Sequence, residues 1–159
     1  MKRLILALMV LALCNSPAWA QIKKFEIGAN TLYSPSHHST NGEISFDYHF
    51  QKSKVGIGLN MDLLEIGLPK TAIGENVSIF FDPENTSALF LRPEIGFGAI
   101  HGLFNGEGQP IATKFQLPIG VTAGYYLGNH FMCGLIAKYC IITGTTNVFL
   151  TGFRFAACF

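Results

Sequence analysis

Apolar and polar residues alternate with a period of two along most of the chain. Residues 43–50 read EISFDYHF, so Ile44, Phe46 and Tyr48 share one face and the intervening polar residues share the other. Residues 54–62 (KVGIGLNMD) repeat the pattern, with apolar residues against glycine and polar residues. Successive side chains of a strand point to opposite faces. This alternation therefore predicts strands with one apolar face and one polar or small face.

The same pattern predicts eight strands in all. Their ranges are 24–33, 43–50, 54–62, 76–82, 88–100, 113–127, 130–142 and 147–159. Pro93 and Pro118 are the weak points, because proline removes a ladder donor and usually marks an edge or a bulge. Gly128 and Asn129 suit a two-residue hairpin between the sixth and seventh strands.

The connections are predicted to alternate in length. Long connections are expected at 34–42, 63–75 and 102–112, and short ones between the other strands, including the connection before the last strand. Short turns at one rim and longer loops at the other are typical of bacterial outer-membrane barrels, in which the short turns are periplasmic. An even strand count would then place both ends of the barrel domain in the periplasm.

The first twenty residues have the organisation of a signal peptide. A positive start (Lys2, Arg3) precedes an apolar run over residues 4–13, and the A-x-A pattern of residues 18–20 suits cleavage before Gln21. An N-terminal anchor is the alternative, but the run is far short of the ~20 residues of a helical span. Lipidation at Cys14 is a second alternative, disfavoured by the bulky residue before it. We expect a signal peptide at 1–20 and one barrel domain at 21–159.

Composition favours a membrane-embedded barrel over a soluble domain. Only 13% of residues are charged, 49% are hydrophobic, and the formal net charge is +1. Soluble domains carry roughly 25% charged residues, and this balance lacks the basic footprint of a nucleic-acid-binding protein. Residues 21–159 contain no run of 18 apolar residues that would form a helical span. An exported, apolar chain without a helical span predicts an all-β, eight-stranded antiparallel up-and-down transmembrane barrel.

These features together resemble the small eight-stranded bacterial outer-membrane β-barrel family. The resemblance rests on the predicted signal peptide, the eight alternating segments and the final aromatic strand that ends in Phe159. It implies a location in the bacterial outer membrane and contact with outer-membrane lipids. It also implies that the barrel-assembly machinery reads the last strand during biogenesis, with Phe155 and Phe159 as the assembly signal. We expect a monomer without a nucleic-acid partner.

The polar face is predicted to point into the barrel. Eight strands leave an interior just wide enough for side chains to fill. The predicted inward set is Glu26, Asn30, Asp47, His49, Asn60, Asp62, Arg92, Glu94, Gln116, Lys138 and Arg154. Isolated buried charges are costly, so its three cations should pair with three carboxylates. We expect a polar plug formed by Glu26, Asp47, Arg92, Glu94, Lys138 and Arg154. A narrow proton or ion path is the alternative.

The candidates for catalysis lie near the rim with the longer loops. They are Ser36, His37, His38, Ser39 and His101. Some members of the resembling family are lipid A deacylases or palmitoyltransferases that use His with Ser and an acid at that rim. A catalytic base needs a third group that orients it, and the sequence offers His37 and His38 no defensible acidic partner. We therefore expect a non-enzymatic barrel with a structural or surface-interaction role, and a deacylase-like lipid A-modifying enzyme as the alternative.

The remaining features predict no cofactor or metal. Cys133, Cys140 and Cys158 are an odd number without a C-x-x-C or Cys/His ligand cluster. Cys133 and Cys140 are seven residues apart, so they face opposite sides of one strand and cannot pair. We expect the cysteines to act as small buried hydrophobic residues.

A soluble lipocalin-type barrel is a third alternative. Its large hydrophobic residues would point inward, and the outward face of glycine and charged residues would be too poor in Lys and Glu for easy solubility.

Overall fold

The structure is a computed structural model that describes residues 24–50, 53–65, 71–82, 89–102, 111–128, 130–144 and 146–159. Its strands are β1 (Phe25–Ser34), β2 (Ser39–His49), β3 (Val55–Glu65), β4 (Thr71–Phe81), β5 (Leu89–Gly102), β6 (Ile111–Leu127), β7 (Phe131–Ile142) and β8 (Val148–Cys158). Each strand pairs with the next along the chain, and β8 pairs antiparallel with β1 to close a barrel. The predicted eight-stranded antiparallel barrel is confirmed. The predicted signal peptide at 1–20 lies outside the described residues.

The two faces of the strands point as the alternation predicts. On β1, Glu26 and Asn30 are buried inside the barrel, whereas Phe25 and Ile27 on the other face are 50% and 48% exposed. The same alternation of buried and exposed positions runs through β2 and β3. The large hydrophobic residues thus point outward, which overturns the lipocalin-type alternative. Within the described ranges, no helix is long and apolar enough to cross a bilayer.

The barrel has two rims, which we name by their connections. The upper rim carries the β1–β2, β3–β4, β5–β6 and β7–β8 connections, and the lower rim carries the other three together with the start of β1 and the end of β8. Inward residues of the strands fill the lumen between these rims.

The predicted long loops at 34–42 and 63–75 are wrong. β2 already begins at Ser39 and pairs back onto β1, with Asn41 opposite Leu32, and only residues 35–38 separate the two strands. Likewise β3 continues to Glu65 and β4 begins at Thr71. Polar composition misled the prediction, because a barrel strand that extends beyond the lipid belt needs no apolar outer face. The 102–112 connection is also shorter, at 103–110, so loop length distinguishes the two rims only weakly.

The hairpin between β6 and β7 is also longer than predicted. Leu127 pairs with Phe131, so the connection has three residues, 128–130, rather than two. Gly128 has a φ of 67°, a left-handed conformation that glycine adopts at no steric cost. The prediction failed because β7 begins at Phe131, one residue later than the alternation suggests.

The two prolines lie inside the sheet without shifting its register. Pro93 pairs with Val121, and Pro118 pairs with Cys140 on the other side of β6. Because a closed barrel has no edge strand, neither proline lies at the edge of the sheet. Gly96 makes room for the Pro118 ring, since a Cβ added there would lie 3.0 Å from Pro118 Cγ. The irregularity between β5 and β6 falls elsewhere, between Ile100 and Gly102.

Candidate functional site

Arg92 lies at the centre of the ion pairs in the lower half of the lumen. Its Nη1 is 2.8 Å from Glu26 Oε2 and 3.5 Å from Asp47 Oδ2. Its Nη2 donates to Asp82 Oδ2 at 2.8 Å and to the Tyr126 hydroxyl at 3.0 Å. The planar guanidinium can serve two carboxylates at once because its N–H groups form a fixed fork. Arg92 is fully buried, so hydrogen bonds to these partners replace the hydrogen bonds that water would make with the guanidinium.

Arg154 joins this arrangement from β8. Its Nη2 donates a hydrogen bond to Asp47 Oδ2 and lies 3.8 Å from Glu26 Oε2. Arg92 and Arg154 therefore share the same two carboxylates, from β1 and β2. Because all four groups are buried, removing either arginine would leave a carboxylate without its full set of partners.

Lys138 forms a second set higher in the lumen. Its Nζ lies 2.6 Å from Glu43 Oε2 and 3.0 Å from Glu94 Oε1. Asn30 also donates a hydrogen bond to Glu43. The two sets bring together all six residues of the predicted plug, with Glu94 paired to Lys138 and the other two acids paired to the arginines.

Sequence reasoning missed Glu43, Asp82 and Tyr126 in these sets. Glu43 lies four residues before Asp47 on the polar face that the alternation gives to β2, but the predicted inward set did not include it. Asp82 follows the last residue of β4, in phase with buried Phe80. Asp82 and Tyr126 could have been found by extending the inward phase of β4 and β6 to the last polar position of each strand.

A histidine also contacts the lower set. His49 Nε2 lies 2.9 Å from Glu26 Oε1, and Nδ1 lies 3.7 Å from Asp82 Oδ2. Its ring packs edge-on against Phe80, with 5.0 Å between the ring centroids. His49 thus belongs to the lumen, as its predicted inward position requires, and lies near the lower rim.

Amide and hydroxyl side chains, together with Asp62, complete the middle of the lumen. Asn60 donates to Asn76 Oδ1 at 2.9 Å and to Ser78 Oγ at 3.1 Å. Asn76 and Gln116 both donate to Asp62 Oδ2, at 2.9 and 3.4 Å. These contacts link β3, β4 and β6 across the lumen.

Apolar clusters flank this polar middle on both sides. The upper cluster consists of Leu32, Leu64, Ala72, Ile100, Ile136, Cys140, Ile142, Val148 and Leu150. The lower cluster consists of Phe90, Met132, Ala156 and Cys158, with Tyr126 packed against it. The described inward side chains therefore comprise buried ion pairs, amide and hydroxyl groups and two apolar clusters. The lower cluster lies beside the Arg92 set, since Tyr126 contacts both.

A separate group of polar residues lies on the outer face near the upper rim. His101 Nδ1 is 3.0 Å from Thr113 Oγ1, and His101 Nε2 is 3.3 Å from Glu75 Oε1. The side chains of His101 and Glu75 are 46% and 63% exposed. Strand pairing builds the group, because β4, β5 and β6 are adjacent and these residues share their outward face. The sequence singled out His101 but missed Glu75, which the predicted 63–75 loop had placed outside a strand.

The other rim candidates have different neighbours. His38 Nδ1 lies 3.2 Å from the Tyr33 hydroxyl, and Ser36 Oγ lies 3.2 Å from Ser34 Oγ. Ser39 donates to the Glu65 carbonyl at 2.8 Å. Among the described residues, no carboxylate is hydrogen-bonded to His37 or His38.

The three described cysteines form no disulfide with one another. Cys133 is half-buried on the outward face of β7, whereas Cys140 and Cys158 are buried in the lumen. Cys133 and Cys140 thus face opposite sides, as the spacing predicts. In the part of the chain that the structure describes, no group of three His, Cys, Asp or Glu residues could hold a metal ion.

Comparison with known proteins gives matches in structure but none in sequence. No protein-family model matches the chain, and no curated protein matches it significantly. Neisserial surface protein A (NspA) has a TM-score of 0.67 and 12% identity, covering 86% of this chain and 97% of its own. The N-terminal β-barrel domain of Pseudomonas aeruginosa OprF has a TM-score of 0.65 and 16% identity, covering 85% of this chain and 96% of its own.

The chain has the fold of the small eight-stranded outer-membrane β-barrels. The predicted resemblance is thereby confirmed as a likeness of fold. The outer membrane enzyme PagL shares it as well, with a TM-score of 0.57 and 10% identity over 84% of this chain and 99% of its own. Because a surface protein and an enzyme both have this barrel, the role of the present chain must be argued from its own residues.

Proposed function

We propose that the protein spans the bacterial outer membrane as a barrel with a packed, non-conducting lumen, and that its role is structural or surface-interacting rather than enzymatic. The observation that carries this proposal is the content of the lumen, where buried ion pairs and two apolar clusters occupy the interior. An ion crossing it would have to separate buried ion pairs, and it would lose its water beside the apolar clusters.

The outer surface supports a membrane location. Large hydrophobic residues are exposed around the barrel, and Phe97 and Phe115 reach 68% and 72% exposure. Monomeric soluble proteins rarely expose contiguous apolar patches of more than a few hundred Å². Lipid would cover this surface at no cost, and outer-membrane lipids are therefore the partners that we propose.

Export and assembly belong to the same proposal. Residues 1–20 would direct export, and the last strand would be read by the barrel-assembly machinery. Phe155 and Phe159 are 61% and 62% exposed on the outward face of the barrel, where another protein could contact them. We propose that the assembled protein is a monomer.

Topology can be tested with single cysteines at opposite rims. Ser36 lies in the β1–β2 connection, and Ser53 lies between β2 and β3. We expect a membrane-impermeant maleimide to label Ser36→Cys on intact cells, and Ser53→Cys only after the outer membrane is permeabilised. Native Cys133 faces lipid, and Cys140 and Cys158 are buried, so the unsubstituted protein provides the background. If only Ser53→Cys were labelled on intact cells, the orientation of the barrel would be the opposite of the one proposed.

A second candidate function follows from the contacts of His101. Glu75 would accept a hydrogen bond from His101 Nε2 and orient the ring, while Nδ1 accepts the Thr113 proton. The Thr113 oxygen would attack an acyl-ester carbonyl, and the proton would pass through His101 to the departing alcohol. Water would then release the acyl group from Thr113. The substrate class would be an acylated lipid at the upper rim, such as lipid A.

Mass spectrometry of lipid A distinguishes the two candidates. The proposed non-enzymatic role predicts the same lipid A species from cells with the unsubstituted protein, with His101→Ala and without the protein. His38→Ala is the matched control, because this rim histidine contacts Tyr33 rather than a carboxylate. Loss of an acyl chain that requires His101 and Thr113, but not His38, would establish the enzyme instead.

A further inference from the structure

Two apolar grooves lie side by side on the outer surface of the barrel, in the half nearer the lower rim. The first has a volume of 460 Å³ and is lined by residues that include Ala123, Cys133, Phe153 and Phe155. The second has a volume of 560 Å³ and is lined by residues that include Ala29, Phe131, Phe155 and Ala157. Phe155 lines both grooves, so its ring forms the ridge between them.

Small residues on neighbouring strands create the two depressions. Ala123 lies diagonally next to Cys133 across the β6–β7 pair, and Phe155 separates Cys133 from Ala29 along one row of paired residues. Farther along the same row the outward side chains are larger, with Ile44 at the border of the second groove and Met61 beyond it. The outer surface is therefore recessed on both sides of Phe155.

The dimensions of the grooves suit hydrocarbon chains. A methylene group occupies about the same volume as a water molecule in the liquid, roughly 30 Å³. Each groove is an open surface depression that therefore has room for part of one acyl chain. The first residues of β5 and β7, Leu89 and Phe131, lie at the lower ends of the grooves. Chains in the grooves would thus belong to a lipid whose head group lies at the lower rim.

A cation lies at that rim beside the second groove. Lys24 immediately precedes β1, three residues before Ile27 of the groove lining. Its Nζ lies 5.7 Å from the centroid of the Phe25 ring and 5.6 Å from that of Tyr48, so the ammonium is held over the outward face of β1 and β2. Cations at this depth attract lipid phosphates.

We propose that the two grooves bind the two acyl chains of a single phospholipid, one on each side of Phe155, with its phosphate near Lys24. The inference rests on the proposed membrane-spanning location. A peptide strand is a poorer occupant, because the closed barrel offers no free edge for pairing. A second copy of the chain is also poorer, because burial of apolar surface from lipid gives little driving force for association.

Native mass spectrometry of the detergent-purified protein tests the proposal. We expect a species that carries the mass of one diacyl phospholipid. After delipidation, added phosphatidylglycerol should restore this species, whereas its single-chain lysophospholipid should bind roughly tenfold more weakly because one groove stays empty. Equal binding of the two lipids would overturn the two-groove assignment.

Groove-filling variants give the second readout. Ala29→Leu and Ala123→Leu each fill one groove, and each should reduce the bound phospholipid about tenfold. Ala137→Leu is the control, because Ala137 faces outward on β7 but lines neither groove. Unchanged binding in both groove variants, an equal loss in the control, or a dimer in place of the lipid-bound species would overturn the proposal. Heat-modifiable migration on a gel reports separately whether each variant forms a barrel, and membrane fractionation reports its location, so failure of lipid binding is distinguishable from failure of the proposed fold and location.

Discussion

Replacing Arg92 with alanine is expected to lower the free energy of unfolding of the barrel by roughly 3–5 kcal/mol. The guanidinium is buried and pairs with Glu26 and Asp82, each at 2.8 Å, and with Tyr126. Alanine would leave these acids in the lumen without their main cation. This loss is the free-energy cost of leaving buried carboxylates without a cation. That cost is larger than the net stabilisation that the intact ion pair contributes.

Urea unfolding of the refolded barrel, followed by circular dichroism, measures this loss. Lys54→Ala is the matched control, since Lys54 is an exposed cation and its removal should change stability by less than about 1 kcal/mol. Equal, small effects of Arg92→Ala and Lys54→Ala would contradict the ion-paired lumen.

Replacing Gly152 with alanine should destabilise the seam that closes the barrel. A Cβ at Gly152 would contact the backbone carbonyl of Thr31 on β1, and it would also lie 2.9 Å from Leu32 Cα. Backbone atoms cannot move aside by changing a rotamer, so the strands β8 and β1 would have to separate locally. We expect a loss of about 3 kcal/mol, at the upper end of overpacking costs.

Gly42 on β2 provides a comparison on the other side of β1, because it pairs with Thr31, next to the Leu32 that pairs with Gly152. A Cβ at Gly42 would have nothing within 4 Å. Gly42→Ala should therefore leave stability unchanged or raise it by about 0.5 kcal/mol, since glycine is the less favourable residue in a strand. The same urea titration compares the two variants. A Gly42→Ala loss as large as that of Gly152→Ala would contradict the register of β1 between its neighbours.

The period of two was sufficient to predict most of the fold. It determined strand number and the direction of each face, because a one-residue slip would place every charge of a strand in lipid. It also brought Arg92, Lys138 and Arg154 to the inward face. The rims could not be predicted in the same way, because beyond the lipid belt both faces of a strand tolerate polar residues. Strands therefore extend through stretches such as residues 39–42 that have the composition of a loop.

The side-chain contacts across the barrel could not be predicted from the sequence, for a different reason. The alternation places Glu26 and Arg92 inward, but their contact joins β1 to β5, which are not neighbours in the sheet. Such pairs depend on the stagger of the strands around the barrel and on side-chain length. The contact between Glu75 and His101 depends instead on the bounds of β4, which the sequence placed five residues too late.

Conductance across a planar lipid bilayer tests the central claim most directly. The purified, refolded protein should insert without producing ion-conducting steps, because paired charges and two apolar clusters fill its lumen. Heat-modifiable migration and protease protection of the same preparation in vesicles would establish that folded barrels are present. Stable, discrete conductance steps from this protein would contradict the packed, non-conducting lumen.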